Sequence, residues 1–122
     1  MHTLRLQTER VGDIEEIRLA GSVEAMNFAA LASTLQRLLQ TGHCAIVLDC
    51  RELTHFGSAE LMGLLQLTQS ARAGGGDIKC VGLSPQIRQV VVLLAGANGL
   101  EHHDDLLAAL EAFHSRHLPV GV

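Results

Sequence analysis

Apolar and polar residues alternate over Thr3 to Thr8, where Leu4 and Leu6 stand between polar neighbours, and again over Glu16 to Ala20, which carries Ile17 and Leu19. Val11-Gly12-Asp13 supplies a turn between the two stretches, so the chain is expected to open as an antiparallel strand pair. Gly21-Ser22-Val23-Glu24 interrupts the second strand. From Asn27 the spacing becomes helical, with Phe28, Leu31, Leu35, Leu38 and Leu39 on one stripe until Gly42.

Ala45-Ile46-Val47-Leu48, ending in Asp49, is a short unbroken apolar run of the kind expected of a parallel strand covered on both faces. Cys50 to Gly57 reads as a loop after it. Leu61, Leu64, Leu65, Thr68 and Ala71 then repeat at helical spacing until Gly74-Gly75-Gly76. Ile78 to Leu83 forms the next strand, and Ser84-Pro85 starts a helix that carries Ile87, Val90, Val91 and Leu94. The run Val90-Val91-Val92 is compatible with a strand as well, but the proline start and the spacing favour helix. Gly96 to Gly99 breaks this element, Leu100 opens a short edge strand, and Asp104 or Asp105 caps a last helix with Leu106, Leu107, Leu110 and Phe113 on its buried stripe. Strands alternating with helices at these spacings require an α/β fold: a mixed, mostly parallel sheet with an antiparallel N-terminal strand pair and about four helices.

At 122 residues the chain is expected to form one domain, 1–122. The residues are 48% hydrophobic but only 2% aromatic, so the core must be built from Leu, Val, Ile and Ala. A formal charge of -4, no Arg/Lys stripe and no Trp or Tyr argue against nucleic acid as a partner. No stretch has the ~18 apolar residues that span a bilayer, and Met1 to Arg10 lacks a signal peptide's apolar centre, so a cytoplasmic protein without direct membrane insertion is expected.

Cys44 and Cys50 fall six residues apart on one expected strand, or ~20 Å, too far for a disulfide. With Cys80 they read as small buried apolar residues. His102 and His103 are adjacent, and His114 and His117 are three apart, but no Cys or carboxylate completes a metal set. A hydrolase built on Ser58 fails because Phe56 and Glu60 occupy the glycine positions of G-x-S-x-G. Gly74 to Gly76 lacks the G-K-S/T of a phosphate loop. No catalytic residue, cofactor or metal is therefore assigned.

The segment Ile46-Val47-Leu48-Asp49-Cys50-Arg51-Glu52-Leu53-Thr54-His55-Phe56-Gly57-Ser58-Ala59-Glu60-Leu61 leads from a buried strand into a helix that begins with a hydroxyl. It resembles the STAS family, the anti-sigma factor antagonists and their relatives. Gly21-Ser22-Val23-Glu24, Gly75-Gly76-Asp77, Ser84-Pro85 with Ile87 and Arg88, and Gly99-Leu100 resemble the family's other motifs in order, so the resemblance covers nearly the whole chain.

The resemblance implies the STAS fold and a binding module in place of an enzyme. In the antagonists a serine at this helix start is phosphorylated by a partner kinase of the anti-sigma class, and alignment places it at Ser58. The unphosphorylated form binds the kinase and releases a sigma factor. Ala59, Met62, Gly63 and Gln66 fall on a helix face beside the main apolar stripe, and Glu24 aligns with an acidic loop residue of the family near the phosphorylation site; with Gly57 they are expected to form the partner-binding surface. On the residues alone, Ser58 is also compatible with a plain helix N-cap, Met62 with a core filler and Glu24 with a solvated loop carboxylate. Two positions depart from the family pattern: its Asp before the serine is Gly57 here, and a small residue after it is Glu60. They leave open a second class of role, a STAS accessory subunit that binds the ATPase of a lipid transporter, and a third, a scaffold component of a stress-signalling assembly.

Overall fold

A computed structural model describes residues 3–116 of the chain. The elements run β1 (Leu4–Val11), β2 (Ile14–Val23), α1 (Phe28–Gln40), β3 (Ala45–Phe56), α2 (Ser58–Ala73), β4 (Asp77–Val81), α3 (Pro85–Ala95), β5 (Glu101–His103) and α4 (Leu106–Arg116). The five strands form one sheet in sequence order, with β1 antiparallel to β2 and every later pair parallel. The expected mixed sheet and four helices are what the described residues form.

The core is aliphatic. Ile17, Leu19, Ile46, Leu48, Cys50, Ile78 and Cys80 project from one face of the sheet and meet Leu31 and Leu35 of α1, Leu61, Leu64 and Leu65 of α2, and Ile87 and Val91 of α3. Alternate residues of the same strands, Ile14, Val47 and Val81, face the other way and meet Ala109 and Phe113 of α4.

Several boundaries differ from the sequence expectation. β2 does not stop before Gly21 but continues to Val23. Gly21 adopts φ +107, and a Cβ there would lie 2.1 Å from the Thr3 carbonyl oxygen, to which Ser22 N–H donates at 2.9 Å. The glycine therefore marks a close backbone approach within the strand and not its end.

The expected loop Cys50 to Gly57 is the second half of a twelve-residue β3. β4 pairs only with Ala45 to Asp49, whereas β2 pairs with β3 as far as Phe56, with register shifts between Arg18 and Ala20 and between Gly21 and Ser22. Those irregularities break the two-residue alternation that would have revealed a strand. β4 in turn ends at Val81, two residues before the expected end at Leu83.

Ser84 caps α3 by accepting from Ile87 N–H at 3.2 Å, and Val90 to Val92 are helical. On the expected α3 stripe Ile87 and Val91 are buried, whereas Leu94 is exposed. Asp105, of the two candidates, caps α4 by accepting from Ala108 N–H at 2.8 Å. Of the expected α4 stripe, Leu106, Leu110 and Phe113 pack into the second cluster, whereas Leu107 is 65% exposed and Ala109 is buried in its stead. Cys44 precedes β3 and is half-buried, while Cys50 and Cys80 are buried, and all three are free thiols.

Candidate functional site

β2 and β3 run parallel and end side by side, Val23 opposite Phe56. Gly57 N–H donates to the Val23 carbonyl at 3.0 Å, which fixes the start of α2 against the end of β2. The loop leaving β2 is fastened by Asn27, whose Oδ1 accepts from Glu24 N–H and whose amide group donates to the Ser22 carbonyl, both at 2.9 Å. The Glu24 carbonyl accepts from Phe28 N–H at 2.9 Å and so opens α1. Two loops at the carboxyl ends of adjacent parallel strands are thereby juxtaposed, the usual location of binding surfaces in such sheets.

Gly57, not Ser58, is the N-cap of α2, with φ -61 and ψ 148. Ser58 is the first residue inside the helix, exposed, and its hydroxyl makes no hydrogen bond among the described residues. The N-cap position therefore belongs to Gly57, and the Ser58 hydroxyl accepts from no helix amide among the described residues.

Glu60 fills the space that a side chain on Gly57 would take. A Cβ built on Gly57 would stand 2.0 Å from Glu60 Oε1. The carboxylate therefore folds back over the amino end of α2, where the helix carries about half a positive charge. Gly57 and Glu60, the two departures from the family pattern, are two halves of one arrangement.

The buried stripe of α2 is the expected one: Leu61, Leu64, Leu65, Thr68 and Ala71 all face the core. Ala59 and Gln66 are exposed, and Met62 is 42% exposed, which removes the core-filler role. Gly63 is not part of a bare surface. The Phe28 ring of α1 lies on it, 2.7 Å from where a Cβ would be, so this glycine lets α1 and α2 approach. Glu24 is half-buried in the adjoining loop. Of the residues expected on the partner surface, the fold gathers Glu24, Gly57, Ser58 and Ala59 at one end of the sheet and sets Met62 and Gln66 one and two turns along the helix.

Met26 escaped the sequence reading. It lies in the loop between β2 and α1, 79% exposed. The available signal was its isolation: a large apolar residue between Glu24 and Asn27 with no periodic partner has no core to enter.

Asp49 is buried within β3, which continues beyond it to Phe56. It accepts from Arg51 N–H at 3.2 Å and from the Arg51 guanidinium at 2.9 and 2.7 Å. Burial pushes its carboxyl up, but Arg51, with Arg18 nearby, outweighs this and holds it below the ordinary value. His102 and His103 alternate on β5: His102 Nε2 accepts from Leu83 N–H at 3.1 Å, while His103 bonds Glu101 at 2.6 Å. His117, the second member of the α4 pair, lies outside the described residues. Among those described, no three metal-ligating side chains come together.

A family profile described as "Mlab, STAS domain" matches residues 6–101. The chain belongs to the STAS domain family. Solved STAS-type structures superpose closely. An anti-sigma factor antagonist from Mycobacterium paratuberculosis has a TM-score of 0.81 at 18% identity, over 92% of this chain and 95% of that one. The antagonist SpoIIAA in its unphosphorylated form gives 0.74 at 18% identity, over 93% of this chain and 100% of that one. RsbS of Moorella thermoacetica gives 0.73 at 14% identity, over 92% of this chain and 97% of that one. At such identities the likeness is one of fold. No curated protein sequence matches the chain. No helix among the described residues is long and apolar enough to cross a membrane.

Proposed function

We propose that this STAS domain is an anti-sigma factor antagonist: a cytoplasmic, non-enzymatic binding module that sequesters an anti-sigma Ser/Thr kinase, releases a sigma factor, and is switched off by phosphorylation of Ser58. The observation that carries this reading is the exposed, unbonded Ser58 hydroxyl at the first position of α2. Its oxygen would attack the γ-phosphorus of the kinase's ATP, lose its proton to a base on the kinase, and displace ADP.

The phosphate adds about -1.5 to -2 charges at neutral pH. It would arrive two residues from Glu60, whose carboxylate already occupies the helix end, so the two anions repel and the surface changes while the core does not. Met62, Ala59 and Gln66, with Glu24 and Gly57 beside them, form the contact surface in this reading. Gly63 supports it by seating Phe28.

A second reading is favoured by the same Glu60. A helix end that already carries its anion suits a permanent contact as well as a switched one. The domain would then be an accessory subunit bound to a lipid-transport ATPase.

Phosphopeptide mass spectrometry on protein from native cells separates the two. Partial phosphate on Ser58 that varies with growth condition supports the switch; a Ser58 that is never modified favours the permanent subunit. In binding assays Ser58→Ala should hold the kinase constitutively and Ser58→Asp should weaken binding, and equal affinities would overturn the switch. Because Ser58 makes no cap bond, both variants should unfold close to the unmodified domain.

A further inference from the structure

The two edges of the sheet are unlike. β5 is three residues long, a short edge of the kind that resists pairing. β1 is eight residues long, contains no proline, and pairs with β2 without a single register shift, so among the described residues its outer edge offers a straight, unpaired row of N–H and C=O groups.

Along β1, Leu4 and Leu6 face the core, and Arg5, Gln7 and Glu9 point to the opposite face. Arg10 is engaged, donating to Glu15 at 2.8 Å. Arg5 and Glu9 are exposed and have no side-chain hydrogen bond or ion pair among the described residues. They stand four positions apart, symmetrically about Gln7.

We infer that a second copy of this chain pairs antiparallel along β1, about a two-fold axis at Gln7, to make one continuous sheet across a homodimer. In that register Arg5 lies opposite Glu9 of the partner subunit, and Glu9 opposite Arg5 of the partner subunit. The two unpaired charges of one strand are each other's complement only in the self-paired arrangement, because an isologous contact uses each residue twice. Leu6 falls beside Thr8 of the partner subunit on the core side. Shifting the register by two residues brings only uncharged side chains opposite these positions, so the charges fix the alignment as well as favouring it. The dimer carries two copies of the Ser58 end.

Sedimentation velocity from low to high micromolar concentration tests the pairing, with hydrogen exchange on the β1 amides to locate it. The unmodified chain should show a concentration-dependent dimer in which β1 amides gain protection. Arg5→Glu and Glu9→Arg each set like charges opposite one another twice, and each should weaken the dimer by about tenfold or more. An equimolar mixture of the two variants should dimerise again, because the reversed position 5 of one chain then faces the reversed position 9 of the other, and native Glu9 of the first faces native Arg5 of the second, so every cross-strand pair is opposite in sign only in the mixed dimer. Thermal unfolding of each variant confirms that these exposed changes leave the fold intact. A chain that stays monomeric throughout overturns the inference. So does a dimer that ignores both reversals, or a mixture that fails to recover.

Discussion

The two faces of the sheet are built from alternate residues of the same strands, yet they are held by different forces. The face under α1, α2 and α3 is dry and aliphatic, with Ile17, Leu19, Ile46, Leu48 and Ile78 wholly buried. Among the described residues the opposite face has one helix. Under α4 lie Val47, Val81 and Ile14, and beside them a Lys79 side chain at 0% exposure. Its ammonium group bonds Asp77 at 3.1 Å and Glu101, and stands 4.7 Å over the Phe113 ring. Arg72 at the end of α2 closes the group by donating to Asp77 at 2.8 Å. Beyond α4 the face is open and charged, with Glu16, Arg18, Asp49 and Arg51 in a row.

The comparison teaches that apolar burial alone holds one side, and that the other depends on charges keeping their partners. A cavity on the first side loses packing that nothing replaces. A lost partner on the second leaves a charge in a place where water reaches poorly.

The largest effect should come from opening the dry face. Leu48→Ala is expected to cost about 2–5 kcal/mol, read from urea unfolding at neutral pH. Loss well below that range would mean that the helices collapse into the space and that this side is not rigidly packed.

Lys79→Met keeps the length of the chain and removes the charge. Asp77 retains Arg72 and the Ile78 N–H, and Glu101 retains His103, so the expected cost is smaller, about 1–3 kcal/mol. An unchanged or raised stability would show that hydrophobic packing can replace the charge group, and would dissolve the distinction between the faces.

Acid should loosen the α4 side first. Burial pushes the Glu101 carboxyl up, but hydrogen bonds from Lys79 and His103 outweigh it and hold it below the ordinary 4.5. A carboxyl lowered in the folded state stabilises it fully above the unfolded value and loses that contribution as pH falls through the folded one. Below about pH 4.5 the α4 amides should therefore exchange faster before those of α2 do, as seen by hydrogen exchange. Simultaneous loss in both helices would contradict separate support for the two faces.

The smallest effect belongs to His102. Burial, with Arg88 nearby, lowers its imidazole below the ordinary 6.5, in keeping with its Nε2 accepting from Leu83 N–H. Stability should fall gently as pH drops below about 6.5, since the unfolded chain then binds the proton more readily. His102→Asn should flatten that slope in thermal unfolding measured across pH 5 to 8, a range set by histidine titration.

Most of the fold was legible because local signals agreed. The α2 stripe from Leu61 to Ala71, the Ser84-Pro85 start and the Val11-Gly12-Asp13 turn each follow from spacing and turn chemistry that need no distant partner. Of the candidate site, the exposed position of Met62 and the start of α2 at Ser58 were close to what the pattern implied. The family alignment supplied Ser58 itself; periodicity could not have separated it from a cap.

What the sequence determined by itself is therefore the periodic content: which residues repeat every two and which every three or four, and hence the order and kind of elements. What only the tertiary structure decided is whatever depends on a neighbour distant along the chain. Cys50 to Phe56 is strand because β2 extends beside it through two register shifts. Gly21 sits within a strand because the Thr3 carbonyl needs the space. Gly63 serves Phe28, and Gly57 yields its side-chain volume to Glu60. In each case a local pattern is compatible with two conformations of similar energy, and a contact made only on folding selects one of them.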